Sequence, residues 1–261
     1  MAELLDLDAD VLHEHHRELI AWAGSLVAQD RPVRIIDLGA GSGTGTLALA
    51  RHLPRAEVIA VDMDEHMLEH LRHRATEAGL ADRVRSVRVD LDAAQWPEDL
   101  GPAELVWASA SMHHLADPDR TLAQVRGLLR PGGAFMITEL DSFPRFLADP
   151  ADAALEERCH AELDQFRRNA GMHMGLDWGA RLKAAGFELV AERHFDIAVQ
   201  PPLPTNARRY AELAIGRMRE RLADRLSAED LNALDALFAT VKDRDDLVVR
   251  TTRTVWIGRR P

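Results

Sequence analysis

One cysteine, Cys159, stands among 261 residues, so no disulfide can form within the chain. That fits a reducing, cytoplasmic location, which is the one expected. Lysine is almost absent, with Lys183 and Lys242 alone, and Tyr210 is the single tyrosine. Basic residues number 32 against 43 acidic ones, for a formal net charge of −11. This shortage argues against a nucleic-acid partner, whose binding rests on Lys and Arg at phosphates. It argues in the same way against an anionic membrane surface. No apolar run approaches the roughly 20 residues that cross a bilayer. Residues 1–10 lack the basic start and apolar middle of a signal peptide. Repeats and low-complexity tracts are missing as well. What is present is ordinary for a globular protein, with 46% hydrophobic and 29% charged residues. A chain of this length builds a core without a metal or disulfide staple. A monomer or homodimer is expected.

Hydrophobic periodicity predicts a first helix over 9–28, broken by Gln29–Pro32. Short branched runs then alternate with helical patterns. Strands are predicted at 33–38, 58–61, 84–89, 105–108 and 134–140, with helices at 44–53, 65–78 and 121–129 between them. Beyond 140 come helices at 151–168 and 178–185, a strand at 187–195, two helices at 206–226 and 228–241, and a strand at 251–257. Strands alternating with helices mean an α/β fold: a doubly wound, mostly parallel seven-stranded sheet with helices on both faces. Helical cap elements complete it. The expected organisation is a helical lid at 1–32 and a core at 33–200 with a partly helical insert at 142–178. A helical insert at 201–246 contributes to a pocket, and 247–261 forms the last core strand.

The most informative segment is Asp37-Leu38-Gly39-Ala40-Gly41-Ser42-Gly43, between a buried strand and a helix. One glycine suffices for a turn; three at alternate positions let a ligand touch the backbone. A dinucleotide loop needs G-x-G-x-x-G. Thr44 and Thr46 occupy the positions where its last glycine would stand. Asp62, at the end of the second strand, can accept hydrogen bonds from both hydroxyls of a ribose. The third strand ends in Val89-Asp90-Leu91-Asp92. The fourth leads into Ser109-Ala110-Ser111-Met112-His113-His114-Leu115, then Asp117-Pro118, and Leu128-Leu129-Arg130-Pro131-Gly132-Gly133 precedes the fifth.

In this order the motifs resemble those of the class I, Rossmann-like S-adenosylmethionine-dependent methyltransferases, over about 33–140. The resemblance implies S-adenosylmethionine as cofactor. It places the cofactor against Asp37, Gly39, Ala40, Gly41 and Gly43. Asp62 would hold the ribose, with Met63 and Met67 beside the adenine. Asp90 would take the adenine amino group and the Leu91 N–H a ring nitrogen, with Asp92 an alternative to Asp90. Ser109 and Ala110 would contact the methionine part.

Methyl transfer is an in-line displacement, for which the protein aligns a nucleophile and, where needed, removes a proton. His113 and His114 lie just past the fourth strand and have suitable chemistry. Glu139 and Asp141 are the alternative bases. His13, His15 and His16, and His66, His70 and His73, read as solvated helix faces, and no metal is expected. The lone cysteine argues against arsenite methylation, and Ser109-Ala110-Ser111-Met112 is unlike the Asn/Asp-Pro-Pro-aromatic motif of DNA amino-methylating enzymes. The reading is a small-molecule O-, N- or C-methyltransferase, a biosynthetic tailoring enzyme. A non-catalytic S-adenosylmethionine binder and an NAD-dependent oxidoreductase are the alternatives.

Overall fold

A computed structural model describes residues 1–261. Five strands, β1 (Val33–Leu38), β2 (Ala56–Asp62), β3 (Val84–Arg88), β4 (Ala103–Ser109) and β5 (Leu129–Leu140), pair in parallel. The last two, β6 (Glu188–Ala198) and β7 (Arg250–Arg259), form a long antiparallel pair, and β7 also runs antiparallel to β5. The sheet order is β3-β2-β1-β4-β5-β7-β6. The winding reverses between β1 and β4, and the crevice at the carboxyl ends of such strands is where α/β sheets bind ligands.

Alternation along the buried strands feeds two cores. Ile35, Val58, Trp107 and Met136 face one side, covered by α2 (His13–Ser25), α3 (Thr44–His52) and Ala75 of α4 (Glu65–Glu77). Ile36, Ile59, Val106 and Phe135 face the other, covered by α5 (Pro118–Leu128) and α7 (Trp178–Ala184). Side-chain caps start several helices: Asp64 accepts from the His66 N–H, Asp117 from Arg120, and Ser227 from Asp230.

A third apolar cluster stands apart from the sheet. It joins α1 (Ala2–Val11), α6 (Pro150–Asn169), α8 (Ala207–Leu222) and α9 (Ala228–Thr240), with Phe146 and Leu247 between them. This is the cap. The single helix expected at 9–28 is in fact two, divided at Leu12 (φ −95°, ψ 28°). Only α1 belongs to the cap; α2 packs on the sheet through Leu19, Ile20 and Ala23. The acidic residues of 1–10 masked α1, whose Leu7 and Val11 are buried. The β5 ladder starts earlier than expected, at Leu129, with a register shift between Ala103 and Leu105.

Candidate functional site

The glycine loop sits at the carboxyl end of β1. Gly39, Gly41 and Gly43 all have left-handed backbones, φ 67°, 54° and 84°. Their jobs differ. A Cβ on Gly39 would lie 2.5 Å from the Ser111 Cβ, and one on Gly43 2.4 Å from the Leu71 Cγ. Those two glycines are required by packing. Gly41 meets only the Leu5 Cδ1 of α1, at 3.1 Å, and is the glycine a ligand can approach.

Asp62 organises the rim. Its Oδ2 accepts from the Gly41 N–H at 2.8 Å and its Oδ1 from the Asp64 N–H at 2.9 Å. Each oxygen keeps a second lone-pair direction for a hydroxyl. Met63 beside it is 64% exposed and leaves an apolar side chain open at the rim. The Leu91 N–H donates to no acceptor in the protein. Asp90 is exposed, with Oδ1 accepting from the Asp92 N–H. An apolar side chain, a free N–H and two carboxylates around an outward-facing glycine fit an adenosine-bearing cofactor.

Asp92, the alternative to Asp90, is committed elsewhere: it accepts from the Ala116 and Asp117 N–H groups at 2.9–3.0 Å. Asp37, placed by the resemblance among the cofactor contacts, lies beneath the loop instead. It is 3% exposed and accepts from the Thr46 Oγ1 at 2.6 Å. Burial, helped by the nearby Asp62, pushes its pKa from 3.8 up to about 7. Folded Asp37 therefore holds its proton where unfolded Asp37 has lost it, and stability falls as pH rises from about 4 through about 7. An Asp37→Asn variant, which keeps the acceptor oxygen, is expected to melt at a higher temperature than the parent at pH 8 and to match it near pH 4. Thermal denaturation across that range checks this; an unchanged slope in the variant would remove Asp37 as its source.

α1 bridges the loop and the cap. Asp6 accepts from the Ser42 and Thr44 hydroxyls at 2.6 and 2.9 Å and pairs with Arg74 at 2.6 Å. Burial raises its pKa, but these partners outweigh burial and hold it below the usual range. The carboxylate also stands by the amino end of α3, where a helix favours negative charge. Two residues on, Asp8 pairs with the buried Arg253 at 2.7 Å and accepts from the Tyr210 hydroxyl at 2.5 Å.

Between α1, α6, α8 and the carboxyl ends of β4 and β5 lies a mostly apolar cavity of about 230 Å³. Ala110 is on its wall with φ 53°, the sole non-glycine residue of positive φ. Such a conformation is retained where the surroundings demand it, commonly at functional sites. His113 is also on the wall, 4% exposed. Glu139 at the end of β5 holds it: Oε2 lies 2.6 Å from the His113 Nδ1, and Oε1 accepts from the Met112 and His113 N–H groups. An ionised carboxylate only accepts, so Nδ1 is the donor, and in the neutral ring Nε2 then keeps a lone pair. The His114 ring leans on His113, centroids 4.1 Å apart. Asp141 is occupied by the Thr254 hydroxyl at 2.8 Å and by His194.

Residues 35–133 match the family model of a methyltransferase domain. Over that span the chain is similar to methyltransferase domains. The chain is 34% identical over 156 residues to the malonyl-[acyl-carrier protein] O-methyltransferase of Halorhodospira halophila, covering 60% of this chain and 48% of that protein. It is 28% identical over 184 residues to the 27-O-demethylrifamycin SV methyltransferase of Amycolatopsis mediterranei, covering 69% and 63%. The chain thus spans about half the length of the curated relatives it matches. In fold it is similar to geranyl diphosphate methyltransferase in complex with SAM, with a TM-score of 0.56 at 15% identity over 99% of this chain and 90% of that one.

Over the matched residues, Gly41, Asp62, Met63, Asp90 and Leu91 lie at the carboxyl ends of β1, β2 and β3. Ala40 donates to the Val61 carbonyl at 3.0 Å. Met67, in the first turn of α4, and Ser109, at the end of β4, are half-buried. The cavity takes in Phe143, Phe146, His160 and Tyr210 from the inserts, whereas Trp178 belongs to the core under the sheet. His66 and His73 are exposed and pair with Glu69 and Glu77. Sequence reasoning missed Leu4, Leu5 and Asp8 of α1, and Arg167, Arg221 and Arg253. Their arrangement depends on cap packing, which leaves no local motif.

Proposed function

We propose that the chain transfers a methyl group from S-adenosylmethionine to a small-molecule acceptor in the cap cavity, with His113 as general base and Glu139 as its positioning partner. The observation that carries the reading is the continuity of the two sites: Ala110 and His113 lie on the cavity wall, on the segment that leaves β4 beside the glycine loop. In this reading Asp62 and the Leu91 N–H orient the nucleoside, and Met63 covers the adenine. Once bound, S-adenosylmethionine supplies an electrophilic methyl carbon with a thioether leaving group. With the cofactor bound, His113 Nε2 would take the acceptor's proton and Glu139 would stabilise the resulting imidazolium. The apolar lining excludes water, which strengthens the Glu139–His113 interaction. O-methylation by the malonyl and demethylrifamycin relatives favours an oxygen acceptor.

Calorimetric titration with S-adenosylhomocysteine is expected to show one saturable site, with NAD giving none. Asp62→Ala weakens binding by about tenfold or more, the worth of losing a charge-assisted hydrogen-bond acceptor. A preference for NAD, or unchanged affinity in the variant, would overturn the cofactor assignment.

A further inference from the structure

The cavity carries an uneven charge. Its ionised lining is Asp8 with Arg167, Arg217, Arg221 and Arg253, in a chain whose net charge is −11. Asp8 and Arg253 satisfy each other at 2.7 Å, so three arginines are left.

Arg167 is the informative one. It is 4% exposed and its guanidinium carbon lies 3.5 Å from the centre of the Phe143 ring. One nitrogen, Nη1, pairs with Asp164 at 2.9 Å; Nε and Nη2 donate to nothing in the protein. Nε and Nη2 keep some accessible surface, so an anion entering the cavity can reach donors that the protein leaves unused. Solvated helix arginines, the ordinary alternative, are exposed. Arg167 and Arg221 stand where the cavity meets an adjoining recess, and both line each space. That recess adds Arg225 and Asp224, one charge of each sign. Beside Arg167, the His160 Nε2 is buried without a partner. Burial, with Arg145 and Arg167 nearby, pushes the His160 pKa down to about 3, so its ring is neutral and available as a hydrogen-bonding group.

We propose that the acceptor is an organic anion: its apolar body lies against Leu4, Phe143 and Ile215, and its carboxylate or phosphate is held by Arg167 and Arg221. This rests on the methyltransferase reading for the word acceptor, but the anion site itself does not. A planar fork reads either oxyanion group through paired N–H bonds. The cation–aromatic stack on Phe143 fixes the plane of the fork before the ligand arrives.

Four six-carbon probes test it by calorimetric titration of the full chain, with and without saturating S-adenosylhomocysteine: hexanoate, hexyl phosphate, hexan-1-ol and hexylammonium. Hexanoate or hexyl phosphate is expected to bind about ten- to a hundredfold tighter than hexan-1-ol, with hexylammonium weakest. Whichever anion is tighter names the group. Arg167→Gln removes the preference. Arg221→Gln, at an exposed position, reduces it and keeps the test readable if Arg167→Gln perturbs folding. Equal binding of hexan-1-ol and the anions, or a preference that survives both substitutions, overturns the proposal. Loss of S-adenosylhomocysteine binding with the anion preference intact would overturn the methyltransferase reading alone.

Discussion

A Glu139→Gln variant is expected to transfer methyl groups about 10²- to 10⁴-fold more slowly while binding S-adenosylhomocysteine as tightly as the parent. The substitution is nearly isosteric, and its amide oxygen can still accept from the Met112 and His113 N–H groups. What changes is the atom facing His113 Nδ1, 2.6 Å from Oε2 in the parent. An amide nitrogen there is a donor, so the ring must shift its proton to Nε2. The lone pair then points at Glu139's replacement and away from the acceptor. Turnover is read as S-adenosylhomocysteine released in the presence of an acceptor. The tautomer is read from the imidazole nitrogen shifts of His113, which a merely structural role for Glu139 would leave alone. His113→Ala should lose as much, and the double variant no more, because the two act as a unit. Full turnover in Glu139→Gln would remove the dyad from the mechanism.

Gly39→Ala is expected to unfold about 5–15 °C below the parent, from roughly 2–5 kcal/mol of lost stability. Two costs combine. A backbone at φ 67° penalises any Cβ, and that Cβ would meet the Ser111 Cβ at 2.5 Å. Ser111 cannot easily retreat, because its hydroxyl donates to the Leu38 carbonyl at 2.8 Å across the same junction. Gly79 is the matched control. It has the same φ of 67° but nothing within 4 Å, so Gly79→Ala pays only the backbone cost, about 1–2 kcal/mol. Thermal melts of the three proteins at one pH give the comparison. Equal shifts in the two variants would mean that the Ser111 contact relaxes freely.

Much of the glycine loop and its rim was legible in the sequence, because their pattern is local. Three glycines after a branched run, and acids ending the next two strands, are each a short pattern written at one place in the chain. The parallel sheet follows from the same alternation. Asp37 was harder to place, since only depth distinguishes a carboxylate under a loop from one beside it. The cap was harder still. The acidity of residues 1–10 concealed the buried face of α1 only in part, since Glu3, Asp6, Asp8 and Asp10 interleave with Leu4, Leu7 and Val11. Arg167 reads in sequence as one of two consecutive arginines closing α6; only the fold buries it and leaves Arg168 outside. His113 and Glu139 sit 26 residues apart, and no spacing rule connects the ends of neighbouring strands to a hydrogen bond.

The attachment of α1 also sets the order in which the chain can assemble. Asp8 finds Tyr210 across 202 residues and Arg253 across 245, so α1 cannot seat until β7 exists. During synthesis the sheet strands β1 to β5 emerge and pair first, in runs of closely spaced elements. A helix made before the strands is then among the last to dock, closing a loop of more than 200 residues. Between the completion of β5 and the arrival of β7, a nascent chain has its parallel strands in place and the roof of the cap cavity still open.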